Sequence, residues 1–315
     1  MQILLQVLLL VLGFVMLIKG ADWFVDGASA VARRFGIPPI VVGLTIVAMG
    51  TSLPEAAISI SAALKGSAGI AVGNVLGSNI MNILLILGLS AVILPMAVQP
   101  AVIRRDMPFL LFITVLMPVL GLPDGKLSRV DGLILLAIFA AYMVWLFIST
   151  KKAAAAGEAA DEESDEPLPP TWKAIAMILV GAALVMLGSN MAVDAATVIA
   201  AALGMSDRLI GLTIIALGTS LPELVTSCTA AKKGCSDMAL GNVVGSNMFN
   251  ILFVLGISAT ITPIAYPMTF LTDSIICVLT AVLLFVLIAG KKLTRGKGAI
   301  MLAAFAAYYT WLFLV

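Results

Sequence analysis

Long apolar runs separated by short polar breaks make up most of the chain. They fall near 2–21, 37–64, 70–93, 107–122 and 130–149, then near 173–190, 205–231, 237–260, 268–289 and 297–314. A membrane-spanning helix needs about 20 mostly apolar residues, so the pattern predicts an all-α membrane protein with ten transmembrane helices. A 28-residue run such as 37–64 is longer than a bilayer requires and must be tilted or broken. The opening MQILLQVLLLVLGFVMLIKG lacks the basic head and A-x-A cleavage site of a signal peptide. Its pattern returns in the second half, so it is expected to be the first membrane helix.

One segment breaks the pattern. KKAAAAGEAADEESDEPLPP, Lys151 to Pro170, has six acids, three prolines and almost nothing large and apolar. It reads as a flexible, solvated linker. A calcium-sensing loop is the alternative, but EF-hand spacing and its turn glycine are missing. The expected organisation is therefore residues 1–150, an acidic linker at 151–172, and residues 173–315.

Composition agrees with the pattern. Of 315 residues, 62% are hydrophobic and 11% charged, with a mean hydropathy of +1.15, against about 25% charged in soluble domains. The net charge of +1 and the lack of a basic patch give no reason to expect a nucleic-acid partner. There is no histidine, which removes the commonest general base and transition-metal ligand. Cys228, Cys235 and Cys277 show no CxxC spacing; the first two are expected on one helix, and all three as small apolar fillers.

Positive charge sets the orientation. With the N-terminus outside, the inner breaks hold thirteen basic residues (Arg33, Arg34, Arg104, Arg105, Lys151, Lys152, Lys173, Lys232, Lys233, Lys291, Lys292, Arg295, Lys297). The outer breaks hold four (Lys65, Lys126, Arg129, Arg208). The expectation is a multi-pass protein of the plasma (inner) membrane with both termini outside and the linker cytoplasmic.

The two halves repeat. GLTIVAMGTSLPE at 43–55 and GLTIIALGTSLPE at 211–223 share eleven of thirteen residues at an offset of 168. GNVLGSNIMNILLILGLSAV at 73–92 and GNVVGSNMFNILFVLGISAT at 241–260 share thirteen of twenty at the same offset. A repeat of five spans is odd, so the second copy enters the membrane from the opposite side. Inverted repeats mark secondary transporters, with the site near the midplane on discontinuous helices. Packing alone would preserve oily and small positions, not a buried acid.

Acids are the informative residues. Asp106, Asp124, Asp131, Glu158, Asp161, Glu162, Glu163, Asp165, Glu166 and Asp207 are expected in loops or the linker, and Asp22, Asp26, Asp194, Asp237 and Asp273 near span ends. That leaves Glu55 and Glu223 near the bilayer centre, where a charge costs at least about 2.5–3.5 kcal/mol. No basic residue is predicted at that depth. The pair is therefore either protonated or compensated by a cation from outside the chain, and two carboxylates match one divalent ion.

Their neighbours suit a hard cation. Pro54 and Pro222 cannot donate to the carbonyls of Gly50 and Gly218, which breaks the helix. Freed carbonyls, the hydroxyls of Thr51, Ser52, Thr219 and Ser220, and the carboxylates form an all-oxygen set of the kind that selects calcium, sodium or magnesium. Asn74, Ser78 and Asn82 share a helix face, repeated by Asn242, Ser246 and Asn250. Ser78, Asn82, Ser246 and Asn250 are expected to line a cation path. Gly73-x-x-x-Gly77 and Gly241-x-x-x-Gly245 are expected to serve close helix packing. Asp26 and Asp194 are expected as interfacial caps or hydrogen-bond partners, and Arg33 and Arg34 as inner-face anchors.

GTSLPE followed by GNVLGSNIMN, twice over, closely resembles the cation/calcium exchanger superfamily, in its small prokaryotic sodium/calcium exchanger branch. The resemblance covers nearly the whole chain. It implies ten helices in two inverted five-helix repeats, and sodium-driven calcium extrusion by alternating access, with the first and sixth spans sliding on a fixed core. The ligands it implies are Thr51, Ser52, Glu55, Ser78, Asn82, Thr219, Ser220, Glu223, Ser246 and Asn250, with carbonyls of Ala48 and Ala216. Asn250, where potassium-dependent members carry aspartate, argues against a potassium requirement. The GNATE-like motif of the proton/calcium branch is absent. The expected partners are calcium and sodium ions and membrane lipid, with no cofactor and a monomeric protein. The alternatives are the same scaffold coupled to protons or another divalent ion, an ion channel, and an intramembrane hydrolase. The hydrolase lacks both GxGD and HExxH, so an enzyme is not expected.

Overall fold

The computed structural model describes residues 2–65, 69–155, 168–205 and 216–314. The linker residues 156–167 and part of the predicted run 205–231 lie outside them. Two long helices stand out first: α1 (Gln2–Phe35) and, after the linker, α7 (Thr171–Ala202). At 34 and 32 residues they are each about 50 Å long. Both run well past the predicted ends at 21 and 190. The apolar pattern stops where Asp22 and Asp26 begin, but the helix continues because those acids have a cation outside it: Lys233 Nζ lies 2.6 Å from Asp26 Oδ1 and 3.4 Å from Asp22 Oδ1.

The two long helices meet backbone to backbone. A Cβ on Gly20 would stand 2.8 Å from Gly181 O, and one on Gly181 2.6 Å from Phe24 N. Gly13 and Gly188 meet in the same way. The small residues recur every seven positions, at 13, 20 and 27 on α1 and at 174, 181 and 188 on α7, so the seam stays on one face.

Each predicted long run is broken where proline requires it. In the first half, α2 (Pro39–Thr51) and α3 (Leu53–Leu64) meet at Ser52 with a bend of 49°, and Pro54 sits in the first turn of α3. In the second, α8 (Ala216–Thr219) and α9 (Leu221–Lys232) meet at Ser220, with Pro222 in the equivalent place.

The centre is α4 (Gly69–Ile93) and α10 (Ser236–Ile261). Their apolar windows are 72% and 78% buried, against 17% for α1 and 28% for α7, so these two helices form the core on which the rest is laid. Each widens into π-helical turns starting at an asparagine, at Asn82–Leu87 and Asn250–Val254, a feature frequent at functional sites. α2 crosses α10 at contact distance. A Cβ on Gly241 would lie 2.6 Å from Ile40 O, and one on Gly245 2.6 Å from Leu44 O, as the GxxxG spacing predicts. Gly77 meets nothing within 4 Å among the described residues.

The peripheral helices are α5 (Met107–Gly121), α6 (Arg129–Ala155), α11 (Phe270–Ile288) and α12 (Arg295–Leu314). Four two-residue strands join them: β1 (Met96–Ala97), β2 (Lys126–Leu127), β3 (Ile264–Ala265) and β4 (Lys292–Leu293). β1 pairs with β4 and β2 with β3. β1 and β2 flank α5, a helix over 20 Å long, so the two ribbons sit at opposite ends of the bundle.

Two expectations are corrected, and the span count is met in part. By length and apolarity, six helices among the described residues can cross a membrane alone, and the bent α2–α3 pair makes a seventh; the runs at 107–122, 205–231 and 297–314 are not among these seven, and part of 205–231 lies outside the described residues. Asp106 is not in a loop: it ends a π-helical turn, Val102–Asp106, with its side chain fully buried. It accepts from Arg105 Nε at 2.6 Å and Nη2 at 2.9 Å, with Tyr142 Oη at 3.4 Å. The polar RRD looked like a break, but its own ion pair lets it enter the helix. Cys228 and Cys235 are not on one helix, because α9 ends at Lys232 and Gly234 (φ +79°) turns the chain; the three cysteines form no disulfide.

The α2–α10 crossing gives a stability test. Gly241→Ala should cost about 1–3 kcal/mol, lowering the thermal midpoint in detergent. Gly296→Ala, at a position where a Cβ meets nothing within 4 Å among the described residues, should leave it unchanged or higher; equal effects would contradict the close approach.

Candidate ion-binding site

Glu55 lies in the first turn of α3 and Glu223 in the first turn of α9. The broken helices therefore aim two backbone N-termini at the centre of the bundle. A helix end offers about 0.3–1 kcal/mol to a nearby anion, less than a buried carboxylate costs. Glu55 is 1% exposed and Glu223 0%, and Ser52, three residues before Glu55, reaches Glu223 across the repeat boundary. Among the described residues neither makes an ion pair; the salt bridges lie at Arg105–Asp106 and Lys233–Asp22/Asp26.

Each carboxylate is met by hydroxyls of the opposite repeat. Ser52 Oγ donates to Glu223 Oε1 at 2.8 Å, with Thr51 alongside. Ser220 of the opposite repeat and Ser78 of the same one face Glu55, although Ser220 Oγ stops short of a hydrogen bond among the described residues. Thr51 Oγ1 lies 3.1 Å from Asn242 Oδ1, and Ser246 Oγ 3.4 Å from Ala48 O. Among the described residues, seven buried side-chain oxygens have no protein partner, five of them on residues predicted as ligands: Glu55 Oε2, Glu223 Oε2, Asn82 Oδ1, Asn250 Oδ1 and Ser220 Oγ. Unpaired buried polar atoms are costly and uncommon. Repeat-related oxygens orphaned together form a set that a hard cation satisfies.

The structure brings the predicted residues together. Ala48, Thr51, Ser52, Ser78, Asn82, Ser220, Ser246 and Asn250 are all buried, and Thr219 is half-buried. Ala216 opens α8; its side chain lies outside the described residues. One expectation changes. The carbonyl of Gly218, freed by Pro222, accepts from Ser189 Oγ of α7 at 2.9 Å. Asn74 and Asn242 serve as braces, donating to Ser59 Oγ at 3.0 Å and Ser227 Oγ at 2.8 Å.

Sequence reasoning missed four further buried residues. Asn79 and Asn247 bond across α4 and α10; their recurrence in both GSN triplets was the available signal. Thr226 Oγ1 and Ser258 Oγ are buried without partners among the described residues; Ser258 recurs as Ser90 in the quoted repeat, a signal that was available, whereas Thr226 corresponds to Ile58 and gave none. No three Asp, Glu, Cys or His side chains cluster among the described residues, so the set is two carboxylates with neutral oxygens.

Residues 5–148 and 173–314 match the family model described as sodium/calcium exchanger protein. The chain is 43% identical over 308 residues to the putative antiporter CaxA of Alkalimonas amylolytica, covering 96% of each chain. It is 38% identical over 323 residues to inner membrane protein YrbG of Escherichia coli, covering 98% of this chain and 97% of that one. A solved structure of the sodium-calcium exchanger NCX_Mj, soaked without sodium or calcium, superposes with a TM-score of 0.86 at 34% identity, over 98% of this chain and 99% of that one.

Removing the two charges should separate stability from binding. Glu55→Gln with Glu223→Gln should melt higher than the parent without divalent ions, because two buried charges are gone. Calcium at about 100 times its Kd should stabilise the parent by about 2.7 kcal/mol and the double variant not at all. Thermal unfolding in detergent with and without calcium reads both; equal calcium stabilisation would remove the carboxylates from the site.

Proposed function

The chain belongs to the sodium/calcium exchanger family, and from that premise we propose that it is a secondary active antiporter that exchanges sodium for calcium by alternating access and extrudes calcium. The observation that carries this is the buried pair Glu55 and Glu223, which has no resident cation among the described residues. Its charge of −2 matches one calcium ion or two of several sodium ions. The ligands are the two glutamates, Thr51, Ser52, Thr219, Ser220, Ser78, Asn82, Ser246 and Asn250, with carbonyls of Ala48 and Ala216. Sodium and calcium compete for overlapping oxygens. An empty, doubly charged site is too costly to carry across, so the protein changes state only when loaded, and exchange becomes obligatory.

Ten helices in two inverted repeats, 1–150 and 173–315, are part of this reading. The strand pairing supports the inversion: β1 and its repeat counterpart β3 belong to ribbons at opposite ends of the bundle. Alternating access draws support from an asymmetry. Lys233 holds Asp26 and Asp22 of α1, whereas their counterparts Lys65 and Asp194 are exposed and form no ion pair among the described residues. Leu53 and Ile58 of α3 are 45% and 39% exposed, and their counterparts Leu221 and Thr226 of α9 are half-buried and buried. Such unequal burial of equivalent residues is what two alternating arrangements of the repeats would leave, and exchanging them gives the opposite state. The Lys233 pair is partly exposed, worth at most about 1 kcal/mol, and so can break in every cycle. The glycine seam supports α1 and α7 moving as one unit.

The distribution of positive charge supports both termini outside and a cytoplasmic linker at 151–172. The protein acts as a monomer in the inner membrane surrounded by lipid, needs no cofactor and catalyses no reaction. More than two sodium ions per calcium would make exchange voltage-sensitive, by about 2.3 kcal/mol per charge per 100 mV.

Vesicles carrying the protein should take up calcium when an outward sodium gradient is imposed, and Glu55→Gln or Glu223→Gln should abolish it. Flux that survives both changes refutes the reading; calcium uptake driven by a pH jump without sodium would replace sodium with protons. Asp26→Cys with Lys233→Cys, bridged by a short bifunctional methanethiosulfonate reagent, should stop exchange until reduced, and unimpeded exchange by the crosslinked protein would contradict the latch.

A further inference from the structure

We propose that Asn79 and Asn247 are positioning residues that fix which end of the amides of Asn250 and Asn82 faces the transported cation. The inference rests on Asn82 and Asn250 being ligands, as proposed above. A side-chain amide has an oxygen at one end and an NH2 group at the other, and only the oxygen can coordinate a cation. Something must therefore decide the orientation of each ligand amide.

The decision starts at two peptide carbonyls. Asn79 Nδ2 donates to Asn247 O at 3.3 Å, and Asn247 Nδ2 donates to Asn79 O at 3.2 Å. A peptide oxygen can only accept, so both amides are anchored by their NH2 ends. That leaves Oδ1 of each as an acceptor. Asn250 Nδ2 donates to Asn79 Oδ1 at 3.1 Å, and Asn82 Nδ2 to Asn247 Oδ1 at 3.0 Å. With their NH2 groups committed, Asn250 and Asn82 turn their Oδ1 atoms the other way, where both are buried and unpartnered.

All four asparagines are 1% exposed or less, so bulk water cannot substitute for a lost partner. Reversing either ligand amide would set oxygen against oxygen at one end and an NH2 group against a cation at the other. The same logic holds in both halves, since 79 and 247, and 82 and 250, are repeat equivalents at the 168 offset.

The test is calcium binding by calorimetry on purified protein, combined with a double-mutant cycle. Asn79→Leu removes the acceptor and should raise the calcium Kd about tenfold. In an Asn250→Asp background both ends of the ligand are oxygen and orientation no longer matters, so adding Asn79→Leu should change Kd by less than about twofold. An equal rise in both backgrounds would mark packing damage and overturn the proposal. Asn247→Leu, which removes the acceptor of Asn82 Nδ2 instead, decides independently of whether the Asn79 variant folds. Its roughly tenfold rise in Kd should persist in an Asn250→Asp background and fall below about twofold in an Asn82→Asp background; an equal rise in both overturns the assignment. A parent protein that binds calcium without exchanging it for sodium fails the exchanger reading and leaves this one standing; a parent that binds no calcium fails both.

Discussion

Two carboxylates held out of water beside one another, with no basic side chain among the described residues to neutralise them, govern the design of this bundle. Each must sit at a helix break, since only there does backbone polarity converge on it. Each break needs a proline to open it. Hydroxyls from the opposite repeat must reach across, as Ser52 does to Glu223. The arrangement still leaves carboxylate and amide oxygens unpaired. That deficit is tolerable in a site that is filled and emptied by ions, and would be a defect in one that is only structural.

The same constraint explains the layering. α4 and α10 form a rigid centre locked by reciprocal asparagine bonds, while α1 and α7 lie on its outside and meet each other through glycine. A seam of small residues has few side chains to interlock, which suits a layer that moves against the core. The attachments between the layers are few and unequal: Lys233 grips α1, Ser189 of α7 bonds Gly218, and the residue equivalent to Ser189 in the first half is Ala21. A symmetric sequence framework thus carries an asymmetric set of contacts, as the proposed alternation between two states requires.

Much of this was legible in the chain. The 168-residue repeat located both helix breaks, and the search for an acid without a basic partner at its depth found Glu55 and Glu223. Those inferences worked because proline geometry and charge burial are local or depth-dependent and need no tertiary detail. Helix ends were less legible. The pattern stopped α1 at Asp22, because only the folded protein supplies Lys233, and it cast Asp106 into a loop, because only the fold supplies Tyr142. Asn79 and Asn247 escaped notice because their role lies in which atom of each amide bonds to which carbonyl, information that spacing does not carry.

An anomalous difference map from crystals soaked in a calcium mimic such as strontium tests the shared-cation idea at its root. A strong peak should lie between the bends at Ser52 and Ser220, at about 2.3–2.6 Å from oxygens of both Glu55 and Glu223 for calcium and slightly farther for the larger ion. Density confined to one glutamate, or no peak there at saturating ion, would mean that the two acids do not share a visiting cation.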